Sequence, residues 1–241
     1  MRKIAVLTSG GDSPGMNAAT RAVARSTIAR GIEAVGIMRG YEGLLDGELR
    51  TLGARDVGGI IHRGGTILQT ARSARFMEPS GQDAAADLLG KNGIDGLVVI
   101  GGDGSFRGAE ELQKRGIAVV GVPGTIDNDI AGTELTIGFR TAVETALDAV
   151  MRLRDTASSH DRLFIVEVMG RRSGFLALDV AVAGGAEAVI VPEVQFSLGK
   201  LIDRLHEARK KGKTHSLIIL AEGVMACLLY TSDAADEEDS V

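Results

Sequence analysis

Three glycine- and acid-rich segments hold the residue types from which phosphate chemistry is built. The first, Thr8-Ser9-Gly10-Gly11-Asp12-Ser13-Pro14-Gly15-Met16-Asn17, leads from an apolar run into a helical stretch reaching about Arg30. Paired glycines let backbone N–H groups approach an anion, and a helix N-terminus adds partial positive charge. A tight turn capped by Ser or Asp uses the same residues, and the segment is neither a Walker A loop nor a dinucleotide fingerprint. The second, Gly101-Gly102-Asp103-Gly104-Ser105, sets an aspartate between glycines. That suits hydrated Mg²⁺, which keeps several waters and takes one or two carboxylates. The third, Pro123-Gly124-Thr125-Ile126-Asp127-Asn128-Asp129, adds two more carboxylates. Turn-forming Asp and Asn explain each loop singly. Three such loops on one sheet edge favour a metal or a proton-transfer role instead. Arg72, Arg75, Arg162 and Arg171 offer guanidinium forks for phosphate esters, although any one of them alone reads more often as a solvated surface arginine.

These loops need elements to position them. Short apolar, β-branched runs recur at 4–7, 34–38, 96–100, 118–122, 163–168, 188–191 and 216–220. Continuous apolarity without alternation predicts strands covered on both faces, as in a parallel sheet flanked by helices. Between them Phe139, Val143, Leu147, Val150 and Leu153 share one helical face, and Ala84, Leu88 and Leu89 share another. Alternating strands and helices predict an α/β doubly wound fold. In such sheets ligands sit beyond the carboxyl ends of the strands, where all three loops fall. The long helical stretch from about Gly138 to Asp155 predicts a boundary between a first domain, 1–138, and a second, 139–225. No linker separates them, so the expectation is two packed Rossmann-like α/β domains with mainly parallel sheets.

Composition bounds the partners. A chain of 241 residues with 44% hydrophobic and 24% charged side chains is ordinary for a globular protein. The net charge of −5 is accounted for by Asp233, Asp236, Glu237, Glu238 and Asp239; elsewhere acids and bases balance. With 3% aromatics there is neither a basic stripe nor a stacking platform, so nucleic acid is not an expected partner. No apolar run approaches the ~20 residues that span a bilayer, and the N-terminus lacks an export signal. The single cysteine, Cys227, fits a reducing cytoplasm. Residues 226–241 keep no periodic pattern and read as a cloning or assembly scar.

Taken in order, LTSGGDSPGMNA at 7–18, GGDGS at 101–105, PGTIDND at 123–129 and VMGRRSG at 168–174 resemble the bacterial-type 6-phosphofructokinase family, as do RLRDTASSHDR at 152–162 and VPEV at 191–194. The resemblance covers residues 1 to about 225, and four ordered motifs are far more specific than one. It implies transfer of the ATP γ-phosphoryl group to the 1-hydroxyl of fructose 6-phosphate. Gly11, Arg72, Gly102, Asp103, Gly104 and Ser105 would hold ATP, with Asp103 positioning Mg²⁺. Asp127 matches the catalytic base, with Thr125 and Asp129 beside it, and Arg171 would neutralise the transferring phosphoryl group. Met169, Gly170 and Glu222 match sugar contacts, while Arg162 would reach a neighbouring subunit's site in a homo-oligomer, a tetramer by resemblance. Arg21, Arg25, Arg154, Glu187, Lys211, Lys213 and His215 match an effector site between subunits, Lys211 and also Arg55 only loosely.

The resemblance also bears on the phosphoryl donor. Pyrophosphate-dependent relatives typically carry Asp at the position of Gly104 and Lys at that of Gly124, so two glycines imply ATP, with pyrophosphate the alternative. Family members continue past the strand near Leu220 with further contacts, which predicts a C-terminally truncated chain of poor solubility and little turnover. A nucleotide-binding fragment without turnover is the non-enzyme reading. A dinucleotide-dependent oxidoreductase is disfavoured because no G-x-G-x-x-G follows the first strand.

Overall fold

The computed structural model describes residues 1–224. The acidic segment at 226–241 lies outside them. The chain divides into two compact units, Met1–Phe139 and Arg140–Val241.

In the first unit six strands form one sheet in the order β3-β2-β1-β4-β5-β6. They are β1 (Lys3–Thr8), β2 (Glu33–Ile37), β3 (Leu49–Thr51), β4 (Gly96–Gly101), β5 (Val119–Thr125) and β6 (Ile137–Gly138). All neighbouring pairs are parallel except β2 with β3. Helices α1 (Met16–Ala29), α2 (Gly40–Leu45), α3 (Ala74–Met77), α4 (Pro79–Lys91) and α5 (Asp103–Lys114) connect them. Ala5, Leu7, Leu97 and Val99 enter one core with Tyr41, Leu44, Phe76, Leu89 and Leu112. Val6 and Ile100 enter another with Met16, Ala24, Leu52 and Leu68. Successive residues of β1 and β4 therefore alternate between two buried faces, which is why those runs are apolar throughout; β5, by contrast, exposes Val120.

Two elements were not expected. Strand β3 is three residues long and its Arg50 and Thr51 are exposed, so no apolar run marks it. Strand β6 has only two residues, paired to Gly124 and Thr125. On α4 the buried seam is Ala85 and Leu89, one turn apart, while Ala84 is exposed.

The second unit holds a three-stranded parallel sheet, β7-β9-β8, made of β7 (Leu163–Val168), β8 (Ala188–Ile190) and β9 (Ser216–Ala221). Central β9 is buried from Leu217 to Ala221, whereas edge strand β7 exposes Leu163, Ile165 and Glu167. Helices α6 (Phe139–His160), α7 (Phe175–Gly184) and α8 (Leu198–Lys210) complete the described elements. Helix α6 runs beyond the expected Asp155 because Ala157, fully buried, carries its apolar face one turn further. No helix among the described residues is long and apolar enough to cross a membrane.

Candidate functional site

The three loops singled out by composition open from adjacent parallel strands. Thr8 at the end of β1 lies beside Ile100 of β4, and Gly101 lies beside Pro123 of β5. Their carboxyl ends therefore share one edge of the sheet. Ser9 N–H donates to the Ile100 carbonyl at 3.0 Å, tying the first loop to β4.

Neither helix entered from these loops has a side-chain cap. The residue before α1 is Gly15, in the left-handed region at φ 90°, and the residue before α5 is Gly102. The capped-turn explanation thus fails at both places: first-turn N–H groups are left without the side-chain oxygen that Ser, Asp or Thr would supply. Close backbone approach explains Gly101, where an added Cβ would stand 2.5 Å from both Ser9 O and Ser105 Oγ. Gly104 has no such reason, since nothing lies within 4 Å of an added Cβ. Ser105 is buried, and its carbonyl accepts from the Tyr41 hydroxyl at 2.7 Å. Tyr41 stacks on Phe76 with centroids 4.0 Å apart, and burial pushes its phenol pKa up, keeping it a donor.

The carboxylates divide by exposure. Asp127 is 8% exposed at the turn after β5, whereas Asp129 is exposed. Asp103 is exposed and pairs with Arg107 at 2.8 Å one turn along α5. Among the described residues no three His, Cys, Asp or Glu side chains converge into a metal cage.

Arg72 is exposed and makes no ion pair among the described residues. Arg75, by contrast, is engaged by Glu42 at 2.5 Å and Asp46 at 2.7 Å. Asp46 also binds Arg39, which pairs with Glu48. These partners come from a helix some thirty residues earlier, invisible to local sequence.

In the second unit β7 ends into Met169, Gly170 and Arg171, and Glu222 follows β9 immediately. Glu222 Oε1 accepts from Gly170 N–H at 2.9 Å and Arg171 N–H at 2.5 Å. Gly170 and Arg171 take φ of 139° and 52°, a turn that two charge-assisted bonds can hold. Gly223 backs it, because an added Cβ would meet the Arg171 carbonyl at 2.0 Å. The structure thus gathers Met169, Gly170, Arg171 and Glu222. It places Arg162 at the other end of β7, about 20 Å away for six strand residues.

The remaining basic residues fall in two groups. Arg154 donates to the Gly184 and Gly185 carbonyls, and Glu187 pairs with Lys213 while accepting from Leu217 N–H. Burial opposes the Glu187 charge, but Lys213 and the Leu217 N–H outweigh it and hold its pKa below the ordinary value. Gly185, Glu187 and Lys213 line a 360 Å³ hollow with Leu201, Arg204 and Leu205. Arg204 carried no sequence signal beyond its charge. His215 Nδ1 is buried without a hydrogen-bond partner among the described residues, and Lys211 is the exposed residue ending α8. Arg21 and Arg25 belong to the first unit, where Arg21 donates to the Val57 carbonyl at 3.0 Å.

The family model described as phosphofructokinase matches residues 3–238. The chain belongs to the phosphofructokinase family. It is 54% identical over 239 residues to the ATP-dependent 6-phosphofructokinase of Listeria welshimeri, covering 99% of this chain and 75% of that protein. It is 58% identical over 223 residues to that of Clostridium tetani, covering 92% of this chain and 70% of that one. Among solved structures, phosphofructokinase from Saccharomyces cerevisiae aligns with a TM-score of 0.87 at 40% identity, over 98% of this chain and 36% of the yeast chain. The pyrophosphate-dependent phosphofructokinase of Marinobacter aquaeolei, at 22% identity and a TM-score of 0.78, shares the fold. The phosphofructokinase fold in this chain is therefore α/β with mostly parallel sheets.

For this phosphofructokinase chain, polar side chains that no motif reading assigned prove to build the loops. Buried Asn17 receives Ile67 N–H at 2.8 Å on its Oδ1 and donates from Nδ2 to the Arg63 and Gly64 carbonyls at 3.0 and 3.3 Å. Thr8 Oγ1 donates to the Gln69 carbonyl at 2.9 Å. Together they fasten the loop leading to Arg72 against α1 and β1. Asn17→Ala leaves three backbone groups without their partner, so it is expected to cost about 2–4 kcal/mol, measured by urea unfolding. An unchanged midpoint would show the loop held by other contacts.

Proposed function

We propose that this chain transfers the γ-phosphoryl group of ATP to the 1-hydroxyl of fructose 6-phosphate, giving fructose 1,6-bisphosphate and ADP. The observation that carries the reading is the shared edge of β1, β4 and β5. Two helix N-termini without side-chain caps stand there beside the buried carboxylate of Asp127, so anion binding and proton removal adjoin. Family membership narrows the reaction, and the bacterial relatives above are named for ATP.

In this reading the N–H groups around Gly11, Gly102, Gly104 and Ser105, with Arg72, bind the phosphate chain of ATP. The exposed carboxylate of Asp103, with no three-carboxylate cage among the described residues, fits a Mg²⁺ ion held mostly by phosphate oxygens. Mg²⁺ would supply positive charge against the β- and γ-phosphate oxygens. Asp127 accepts the proton of the sugar 1-hydroxyl as its oxygen bonds to phosphorus, the bond to the ADP oxygen breaks, and ADP leaves. Thr125 and Asp129 flank it, and Arg171 neutralises the charge on the moving group. Catalysis of this kind is mainly positioning and charge stabilisation.

Met169, Gly170 and Glu222 are assigned to the sugar, and Arg162, remote from them just before β7, to a neighbouring subunit's site in a homotetramer. Arg154, Glu187, Lys213 and His215, with Arg21, Arg25 and Lys211, are assigned to an effector. The cytoplasm is the compartment that these substrates imply.

The test is product formation by the 241-residue chain with fructose 6-phosphate and Mg²⁺, offering ATP and pyrophosphate separately. Such turnover as the chain shows is expected with ATP rather than pyrophosphate. Turnover with pyrophosphate alone would overturn the donor, and ATP binding without turnover would reduce the chain to a nucleotide-binding fragment.

A further inference from the structure

After β5 the chain leaves the sheet at Thr125, passes Asp127, and returns only at β6. The stretch from Ala131 to Leu135 between them is largely exposed. A loop so exposed would give a carboxylate little fixed direction, yet Asp127 is buried. Thr136, 4% exposed, stands where the loop comes back, and its bonds cross the base of the loop.

The Thr136 hydroxyl donates to the Thr125 carbonyl at 2.6 Å. It also lies 3.3 Å from Asn128 Oδ1, but a hydroxyl has one hydrogen, and the shorter, carbonyl contact takes it. Asn128 Oδ1 accepts instead from Thr136 N–H at 2.9 Å, and Asn128 Nδ2 donates to the Glu134 carbonyl at 3.2 Å. Asn128 holds the left-handed region at φ 53°, which Asn tolerates better than most side chains. Thr125 closes the other side, its Oγ1 accepting from Asp127 N–H at 3.2 Å. Asp127 thus sits inside a ring of side-chain to backbone bonds whose members flank it on both sides. The ring is tied to the first loop as well, since Ser13 Oγ donates to the Ile137 carbonyl at 3.2 Å.

We propose that Thr136, acting with Asn128, is a positioning residue that aims the Asp127 carboxylate at the sugar hydroxyl. The inference rests on the reading of Asp127 as the base. It adds a residue outside every motif that suggested the reaction, acting only through the backbone of the loop. Displacing a reacting group by about an ångström can cost up to 10²-fold in rate, so a hydroxyl that fixes the Thr125 carbonyl has leverage on turnover without touching either substrate.

The experiment compares Thr136→Val, which keeps the shape and removes the donor, with Thr136→Ser, which keeps the donor. Steady-state kinetics is run alongside hydrogen exchange over residues 124–129 of the full chain. Thr136→Val is expected to lower kcat about 10-fold while the KM values move less than about twofold, the pattern of an interaction felt in the transition state. It should also lose exchange protection over 124–129. Thr136→Ser should restore both. Loss of protection with kcat unchanged would overturn the positioning role, as would a Ser variant as slow as Val. A wild-type chain without turnover would sink the proposed reaction but leave the clamp to be judged by exchange alone: protection lost in Val and regained in Ser supports it, and protection unchanged in Val refutes it.

Discussion

Asp127→Asn is expected to lower kcat about 10²-fold or more, the range by which a positioned general base accelerates proton transfer. The substitution preserves size and leaves the Asp127 N–H bond to Thr125 Oγ1 in place, so the loop should persist. What is lost is the ability to take a proton as the sugar oxygen attacks phosphorus. Because that transfer occurs only in the transition state, kcat and kcat/KM should fall together while the KM values change little. The acidic limb of the kcat/KM profile should disappear with the titrating base. An unfolded variant would lose activity too, so thermal unfolding is measured in parallel. A loss of 10²-fold corresponds to about 2.7 kcal/mol of transition-state stabilisation, and it should appear in the rate without an equal loss of stability. An unchanged kcat would remove Asp127 from its role and leave the reaction to positioning alone.

The architecture around Asp127 was legible to different depths. Strands β1, β4 and β9 announced themselves because a sheet buried on both faces demands apolar side chains at every position: Val6 faces one core, Ala5 and Leu7 the other; β5 and β7 were apolar too, although Val120, Leu163 and Ile165 are exposed. The edge strand β3 has no such demand, and a two-residue β6 is too short for any pattern. The glycine-rich loops were visible as composition, but composition could not say whether Ser or Asp side chains cap the helices that follow; in the structure no side chain caps α1 at Gly15 or α5 at Gly102. Partnership was the least legible level. Arg72 and Arg75 stand three residues apart with the same chemistry, yet Arg75 is engaged by α2 while Arg72 is not. Asn17 and Thr136 read as ordinary polar residues, because the groups they bind lie 46 to 50 and 8 to 11 residues away. Glu222 was expected against the sugar, and its bonds to Gly170 and Arg171 show a carboxylate holding the turn that presents them.

Gly104→Asp is expected to reduce kcat/KM for ATP by about 10²-fold while leaving the fold intact. The two glycines that bear on the donor differ in kind. An added Cβ at Gly124 would press on Ile100 Cγ2 at 3.2 Å, so packing alone gives a reason for glycine there. At Gly104 an added Cβ meets open space, and an acidic residue in the first turn of α5 would favour the helix by a few tenths of a kcal/mol. Neither steric fit nor helix stability therefore explains glycine at 104, whereas a triphosphate bound at this turn does. A carboxylate about 4 Å from a phosphate oxygen costs roughly 4 kcal/mol at an effective dielectric constant near 20, and side-chain rotation away from the anion relieves part of that. Gly104→Ala is the control, since it adds the same Cβ without charge and should keep near-native ATP kinetics. Loss in Asp but not Ala, with equal unfolding temperatures, would identify repulsion of the phosphate chain. Equal loss in both would instead mean that the ligand lies against the backbone itself, and no loss in either would remove the β4–α5 turn from the ATP site.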